Sequence, residues 1–194
     1  MERLRTYAWD MYLFMRSWFS SPKQMGEIMP SSSKTGKKIA DLIKDVENVL
    51  VVELGAGTGQ ITEKIVEGGV QPDKFVTVEL DPRFCKELRK RFPMVKSILN
   101  IDAADILKHL PSKFVGKTDY LISTLPLLML GNDKAKAIVD AIFKTLKPNG
   151  VYIQVTLSPF QPKYIEELGL KATKLCVSWL NLPPMHVWRI CRAT

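Results

Sequence analysis

From residue 49 almost to the end of the chain, short apolar runs alternate with amphipathic stretches of helical length. Val49-Leu50-Val51-Val52-Glu53-Leu54 is β-branched and nearly unbroken, the pattern of a central parallel strand buried on both faces. Residues 60–66 read as a helix and 74–79 as a second strand ending on an acid. Asp81-Pro82 caps the next helix, with proline at its first position. Further strands are expected at 95–99, 119–123 and 151–156, with a turn at 147–150. A helix capped by Asn132 runs to 146, and another at 162–168 is stopped by Gly169. Segments 171–180 and 187–192 read as a closing pair of strands around Asn181-Leu182-Pro183-Pro184. Strands separated by helices imply parallel βαβ units, so the expected fold is α/β, a mostly parallel seven-stranded sheet with helices on both faces.

The first strand opens onto Gly55-Ala56-Gly57-Thr58-Gly59. Glycines let a backbone turn sharply and approach a ligand, and the loop amides with the following helix N-terminus form a polar cradle for a nucleotide-like cofactor. The spacing is Gly-x-Gly-x-Gly rather than the dinucleotide Gly-x-Gly-x-x-Gly, and no Gly-Lys-Ser/Thr follows, which excludes a P-loop. With Glu53 before it, the loop resembles the first motif of the Rossmann-like class I methyltransferases, which bind S-adenosylmethionine. That resemblance implies cofactor contacts from Glu53, Gly55, Ala56, Gly57, Thr58 and Gly59. Glu79 would accept hydrogen bonds from two ribose hydroxyls, beside Leu80. Asp102 and Ala103 would meet the adenine, and Ser123 closes the set. All of these lie at carboxyl ends of strands, where ligands bind in such sheets.

At 194 residues the chain suits one compact domain, read as 31–194, preceded by a segment 1–30 that covers membrane or substrate. Cys85, Cys176 and Cys191 are odd in number and lack metal-ligand spacing, which fits reduced packing residues. With two histidines, His109 and His186, no metal centre is expected. No signal peptide and no membrane-spanning run are expected. The net charge is +8, and residues 1–40 hold seven basic against three acidic side chains, half of that surplus. A basic surface favours polyanions, either nucleic acid or an anionic membrane. At helical spacing Leu4, Tyr7, Ala8, Met11, Tyr12, Phe14, Met15, Trp18 and Phe19 share one arc, opposite Arg3, Arg5, Asp10 and Arg16. An aromatic and aliphatic face opposite arginine suits an amphipathic N-terminal helix lying in a membrane interface; packing over the sheet or a second subunit is the alternative.

Phe14-Met15-Arg16-Ser17-Trp18 and Met25-Gly26-Glu27-Ile28-Met29-Pro30-Ser31-Ser32 resemble the opening of bacterial phospholipid N-methyltransferases. Ser123-Thr124-Leu125-Pro126-Leu127-Leu128, Ile153-Gln154-Val155-Thr156 and Asn181-Leu182-Pro183-Pro184-Met185-His186-Val187-Trp188 extend the resemblance in order along the chain. Leu157 departs from it, where an aromatic is expected. The resemblance implies N-methylation of phosphatidylethanolamine towards phosphatidylcholine, by a cytoplasmic protein peripheral on the inner membrane, with phospholipid and an anionic membrane surface as partners. Ser31 and Ser32 would reach the cofactor's methionine end or the lipid phosphate, with helix capping the alternative role. Arg16, Thr124, Leu125, Pro126, Trp179 and Asn181 would hold the substrate, and Trp188, Phe160 and Tyr152 offer further π faces to an ammonium group. No catalytic base is assigned; His186 is read as a partly exposed loop residue.

Two rivals share these features. A ribosomal RNA adenine dimethylating enzyme has the same glycine motif and a basic surface. Adenine N6 enzymes place Asn/Asp-x-Pro-Tyr/Phe after the fourth strand, however, and Ser123-Thr124-Leu125-Pro126-Leu127 lacks both the amide and the aromatic. That counts against a flipped base and against nucleic acid as partner. The other rival is a non-catalytic, membrane-docking cofactor sensor.

Overall fold

The computed structural model describes residues 30–160, 164–178 and 184–192, with side chains from Thr35 onward apart from Tyr164. The order is α1 (Pro30–Ala40), β1 (Val51–Leu54), α2 (Gln60–Glu67), β2 (Phe75–Glu79), α3 (Pro82–Arg91), β3 (Ser97–Asn100) and α4 (Ile106–His109). There follow β4 (Thr118–Ser123), α5 (Asn132–Thr145), β5 (Leu146–Thr156), α6 (Tyr164–Glu167), β6 (Leu170–Ser178) and β7 (Met185–Arg192). Single 3-10 turns occupy Pro72–Lys74, Ala103–Asp105 and Leu127–Met129.

All seven strands join one sheet in the order β3-β2-β1-β4-β5-β7-β6. The first five run parallel, and β7 is antiparallel to both β5 and β6. The expected α/β sheet, mostly parallel and Rossmann-like, is the one that forms. The chain builds outward from β1 to β3, then returns to place β4 on the other side of β1. A crevice opens beyond the carboxyl ends at such a reversal.

Strand alternation divides the core in two. Val52, Leu54, Val76, Val78, Leu121, Tyr152 and Ile190 pack with α4, α5 and α6 through Ile106, Ile138, Ile142 and Ile165. Val51, Phe75, Ile122, Ile153, Val155 and Val187 pack with α1, α2 and α3 through Ile39, Ile65, Cys85 and Leu88. Among the described residues, no helix is long and apolar enough to cross a membrane.

Several local expectations are corrected. The third strand is shifted to Ser97–Asn100, because Val95 is taken into the core under α3 instead of the ladder. Lys147-Pro148-Asn149-Gly150 is not a turn between elements. It continues β5 through a register irregularity opposite Thr118 and Tyr120, with Asn149 at φ 66°. Asn132 is the first helical residue and not the cap; Gly131, at φ 80°, takes the cap position without a side-chain bond. The Asp81 cap does form, its carboxylate accepting from the Arg83 N–H at 2.8 Å. Helix α6 is confined to Tyr164–Glu167 among the described residues. The last strand begins at Met185, two residues early, so His186 is a strand residue and not a loop residue.

Candidate active site

The glycine loop turns between β1 and α2 with Gly55, Gly57 and Gly59 all at positive φ, 79°, 55° and 84°. Two of them are also pressed by neighbours. A Cβ on Gly55 would lie 2.9 Å from Thr124 Oγ1, and one on Gly59 would lie 2.6 Å from Leu88 and 2.7 Å from Phe92. Most loop amides have partners of their own. Gly55 and Ala56 donate to the Val78 carbonyl, Gly57 donates to Glu79 Oε2 at 2.8 Å, and Gly59 donates to the Ala56 carbonyl. The cradle is therefore a backbone-to-backbone shelf braced by Glu79, rather than an open nest of free amides. Thr58 is tied from outside by the Arg91 guanidinium on its carbonyl.

Glu79 ends β2 with one oxygen on Gly57 N–H and the other on Asp81 N–H at 2.9 Å. An ionised carboxylate has about four acceptor positions, so capacity remains for two hydroxyls. Leu80 follows at 64% exposure, a large apolar face at the crevice edge. Asp102 ends the β3 loop, capping the 3-10 turn through Ala104 N–H at 3.0 Å. Its other oxygen meets the Lys134 ammonium of α5 at 2.5 Å. Partial burial pushes the Asp102 carboxyl up, but Lys134 and the Ala104 N–H outweigh it and hold it below its ordinary value. Ala103 is buried beside it.

Glu53 is turned by strand alternation beneath α2, fully buried, rather than out to the crevice surface. Its Oε2 accepts from the Thr62 hydroxyl at 2.6 Å and the Thr77 hydroxyl at 2.9 Å. Oε1 is buried without a partner. Burial pushes its carboxyl up to about 7 against the lowering effect of the two hydroxyls.

Beyond β4 the chain is pinned on both sides. Thr124 Oγ1 donates to the Gly55 carbonyl at 2.5 Å, and Gln154 Nε2 of β5 donates to the Leu125 carbonyl at 3.0 Å. Ser123 is buried and accepts from Leu125 N–H. Tyr152 in turn fixes Gln154 through a 2.6 Å bond to its Oε1. Pro126 then leads into the Leu127–Met129 turn. Glu53, Gly55, Ala56, Gly57, Thr58, Gly59, Glu79, Leu80, Asp102, Ala103, Ser123, Thr124, Leu125 and Pro126 thus line one edge of the sheet or brace it. Arg16, Trp179 and Asn181 lie outside the described residues. Ser31 and Ser32 lie inside the first turn of α1, which begins at Pro30, and not at its cap position; their side chains are outside the described set. Of the further aromatics, Tyr152 is fully buried and Phe160 exposed.

Residues 21–155 match the family described as ribosomal RNA adenine dimethylase. The chain belongs to that family. It is an S-adenosylmethionine-dependent methyltransferase. Family membership leaves the acceptor open, because relatives differ in name. One is an ornithine lipid N-methyltransferase of Singulisphaera acidiphila, 27% identical over 94% of this chain and 96% of that protein. Another is a ribosomal RNA small subunit methyltransferase A of Rhodococcus erythropolis, 28% identical over 54% of this chain. The chain spans 35% of the Rhodococcus protein's length. In fold it is similar to magnesium protoporphyrin IX methyltransferase of Synechocystis PCC 6803 with bound S-adenosylmethionine. That likeness has a TM-score of 0.64 at 13% identity, covering 84% of this chain and 80% of the other.

The residues present fit S-adenosylmethionine. The close approach of Gly55 to Thr124 leaves no room for a side chain between the two loops. Glu79 has spare acceptor capacity beside the apolar Leu80, and Glu53 has an unsatisfied oxygen behind the loop. Sequence reasoning missed Thr62, Thr77, Gln154 as a loop clamp, and Lys134. Thr77 had a signal, since it is a polar residue in an otherwise apolar buried strand, in register with Glu53.

Proposed function

We propose that the chain N-methylates phosphatidylethanolamine and its mono- and dimethyl products at a membrane surface, towards phosphatidylcholine. The chemistry of the loops beyond β4 and β5 carries this reading. Where an adenine enzyme needs an amide and a stacking aromatic, this edge has Ser123-Thr124-Leu125-Pro126-Leu127. Leu128, 48% exposed in the turn after β4, and Phe160, 76% exposed after β5, give that edge of the sheet an apolar rim suited to acyl chains. The lipid-methylating relative adds support, since it matches end to end.

When bound, the cofactor supplies a sulfonium-borne methyl group. The chain's own residues bind and orient the amine. The loop Ser123–Pro126 is fixed at the crevice mouth by Thr124 to Gly55 and by Gln154 to Leu125. An in-line displacement needs the amine lone pair aimed at the methyl carbon, so a rigid loop contributes through orientation. The apolar rim excludes water around a cationic centre. Residues 1–30 act as the membrane-docking segment, with Arg16, Trp179 and Asn181 at the head group. The protein is thereby a cytoplasmic one, peripheral on the inner membrane and drawn to anionic lipid.

The test is transfer of radiolabelled methyl groups from S-adenosylmethionine to vesicles of phosphatidylethanolamine, its monomethyl and dimethyl forms, and ornithine lipid, beside ribosomal RNA. Label in phosphatidylethanolamine is the expected result. Label only in ornithine lipid would narrow the substrate to that amine. Label only in RNA would overturn the lipid reading. The RNA arm is included because of the family and the Rhodococcus relative. Removing residues 1–20 should lower vesicle binding, more so for anionic vesicles; undiminished binding would remove the docking role.

A further inference from the structure

Across β5, β7 and β6 the sheet carries a second polar cluster, which meets the cofactor side of the crevice only at Ser123 and Gln154. Ser123, Gln154, Trp188 and Lys174 pair in register across β4, β5, β7 and β6, so their side chains lie in one row on the α5 face. One step nearer the carboxyl edge, Thr156 pairs with His186. His186 and Trp188 are 8% and 9% exposed, yet His186 Nδ1 and Trp188 Nε1 are both buried without a hydrogen-bond partner. Two orphaned polar nitrogens, two residues apart on the same face of one strand, carry a desolvation cost that a bound group would relieve.

The chemistry of that group follows from the neighbours. An indole N–H only donates, and an imidazole Nδ1 donates in one neutral tautomer or when charged. The Lys174 ammonium lies 4.6 Å from the centre of the Trp188 ring and reaches towards the Pro159 carbonyl at 3.5 Å. Among the described residues, no carboxylate forms an ion pair with Lys174. Burial and the Lys174 charge both disfavour a protonated His186, holding it below its ordinary value. Donors and uncompensated positive charge without an acid select an anionic oxygen. Position selects the kind of molecule. Gln154 stands between the two sites, its amide on the Leu125 carbonyl and its backbone in register with Trp188. Two strand spacings, about 10 Å, separate the backbones of Ser123 and Trp188, and side chains reaching in from both sides narrow that gap.

We propose that Trp188 Nε1, His186 Nδ1 and the Lys174 ammonium form an anion subsite for the charged oxygen of a zwitterionic aminolipid head group, whose amine lies at the Ser123–Pro126 loop. This rests on the lipid reading above for its ligand and on the orphaned nitrogens for its place. The shared chemistry is an anionic oxygen a short alkyl spacer from an amine. A phosphodiester and a carboxylate both satisfy it.

The experiment follows the indole N–H resonances of the full chain, saturated with S-adenosylhomocysteine, and assigns Trp188 by the signal lost in Trp188→Phe. Glycerophosphoethanolamine should move that signal, and ethanolamine, which has no anion, should not. Inorganic phosphate and ornithine distinguish the source of the oxygen, and movement by either supports an anion site. Trp188→Phe keeps an aromatic ring and removes an unsatisfied donor but leaves a smaller side chain, so its thermal unfolding is measured beside the native chain to separate lost packing from lost binding. Its KM for phosphatidylethanolamine should rise about tenfold, with kcat little changed. A signal that ignores every anion, or follows ethanolamine equally, overturns the subsite, as does an unchanged KM. A signal moved only by an RNA hairpin overturns its assignment to lipid. If glycerophosphoethanolamine moves the signal while no aminolipid is ever methylated, the lipid-methylation reading fails and the anion subsite stands.

Discussion

Replacing Glu53 with glutamine keeps an acceptor for the Thr62 and Thr77 hydroxyls but removes the capacity to ionise. The native carboxyl is fully buried and pushed up to about 7, chiefly by burial, from an ordinary value of 4.5. Between those values the folded protein holds a proton that the unfolded chain has released. The native state is therefore favoured fully below about pH 4.5, and this contribution is lost as pH rises through about 7. At about 1.4 kcal/mol per tenfold change in proton affinity, the loss is about 3 kcal/mol. That is a large share of the 5–15 kcal/mol typical of a domain.

Urea unfolding of both proteins at half-unit steps from pH 4.5 to 8 measures this directly. The stability of Glu53→Gln relative to the native chain should climb by about 3 kcal/mol across that window and level off above it. His186 contributes with the opposite sign. Its value is lowered by burial and by Lys174, so stability is gained as pH rises towards 6.5. Both proteins carry it, and it cancels in the difference. Parallel stability curves would refute an ionisable, desolvated Glu53. A Glu53→Gln advantage that instead grows towards low pH would mean that the carboxylate is stabilised in the fold, through bonding to Oε1.

Gly59→Ala should destabilise the fold by about 2–5 kcal/mol, combining a left-handed backbone with a Cβ pressed on Leu88 and Phe92. Gly169→Ala, at φ 65° with nothing within 4 Å, should cost only about 1–2 kcal/mol; equal losses on thermal unfolding would remove the packing argument. Glu79→Ala should raise the dissociation constant of S-adenosylhomocysteine by calorimetry at least about tenfold. It removes both the acceptor expected to meet the ribose and the brace on Gly57, and unchanged affinity would refute the ribose assignment. Lys134→Ala releases Asp102 from a half-exposed ion pair. Affinity for the same ligand should then tighten about two- to fivefold, and weaker binding would show that Lys134 supports the adenine site instead of competing for it.

Much of this architecture is legible in one sequence because burial on both faces leaves a coarse mark. β1 and β2 are runs too apolar and too β-branched to be surface segments, and the glycine loop fixes the direction of the first crossover. The errors fall where the deciding contact is remote. Nothing local distinguishes Val95 as a ladder residue from Val95 as a plug under α3. Lys147-Pro148-Asn149-Gly150 has turn chemistry, yet Leu146 pairs with Thr118 and draws the segment into β5. Glu53 was expected at the crevice because it ends a run, but period-two alternation sends it under α2, where Thr62 and Thr77 receive it. The Lys134–Asp102 pair joins residues 32 apart in sequence and has no local signature.

The sheet itself separates the part of the chain that the family segment covers from the part that it does not. The residues expected to hold the cofactor follow β1, β2 and β3, and the matched family segment ends at residue 155, within β5. The antiparallel strands β6 and β7 lie beyond it, and they carry His186, Trp188 and Lys174. One side of the crevice is thus built within the matched family segment, while the other is built by chain that the segment does not reach. The Singulisphaera relative covers both. A parallel core constrains every strand on two faces, whereas the strands added at its far edge can change chemistry without disturbing the glycine loop. On the lipid reading, acceptor choice divides between the Ser123–Pro126 loop, inside the family segment, and β6 and β7, outside it; exchanging β6 and β7 between lipid- and RNA-modifying relatives should change affinity for the acceptor while leaving cofactor affinity in place.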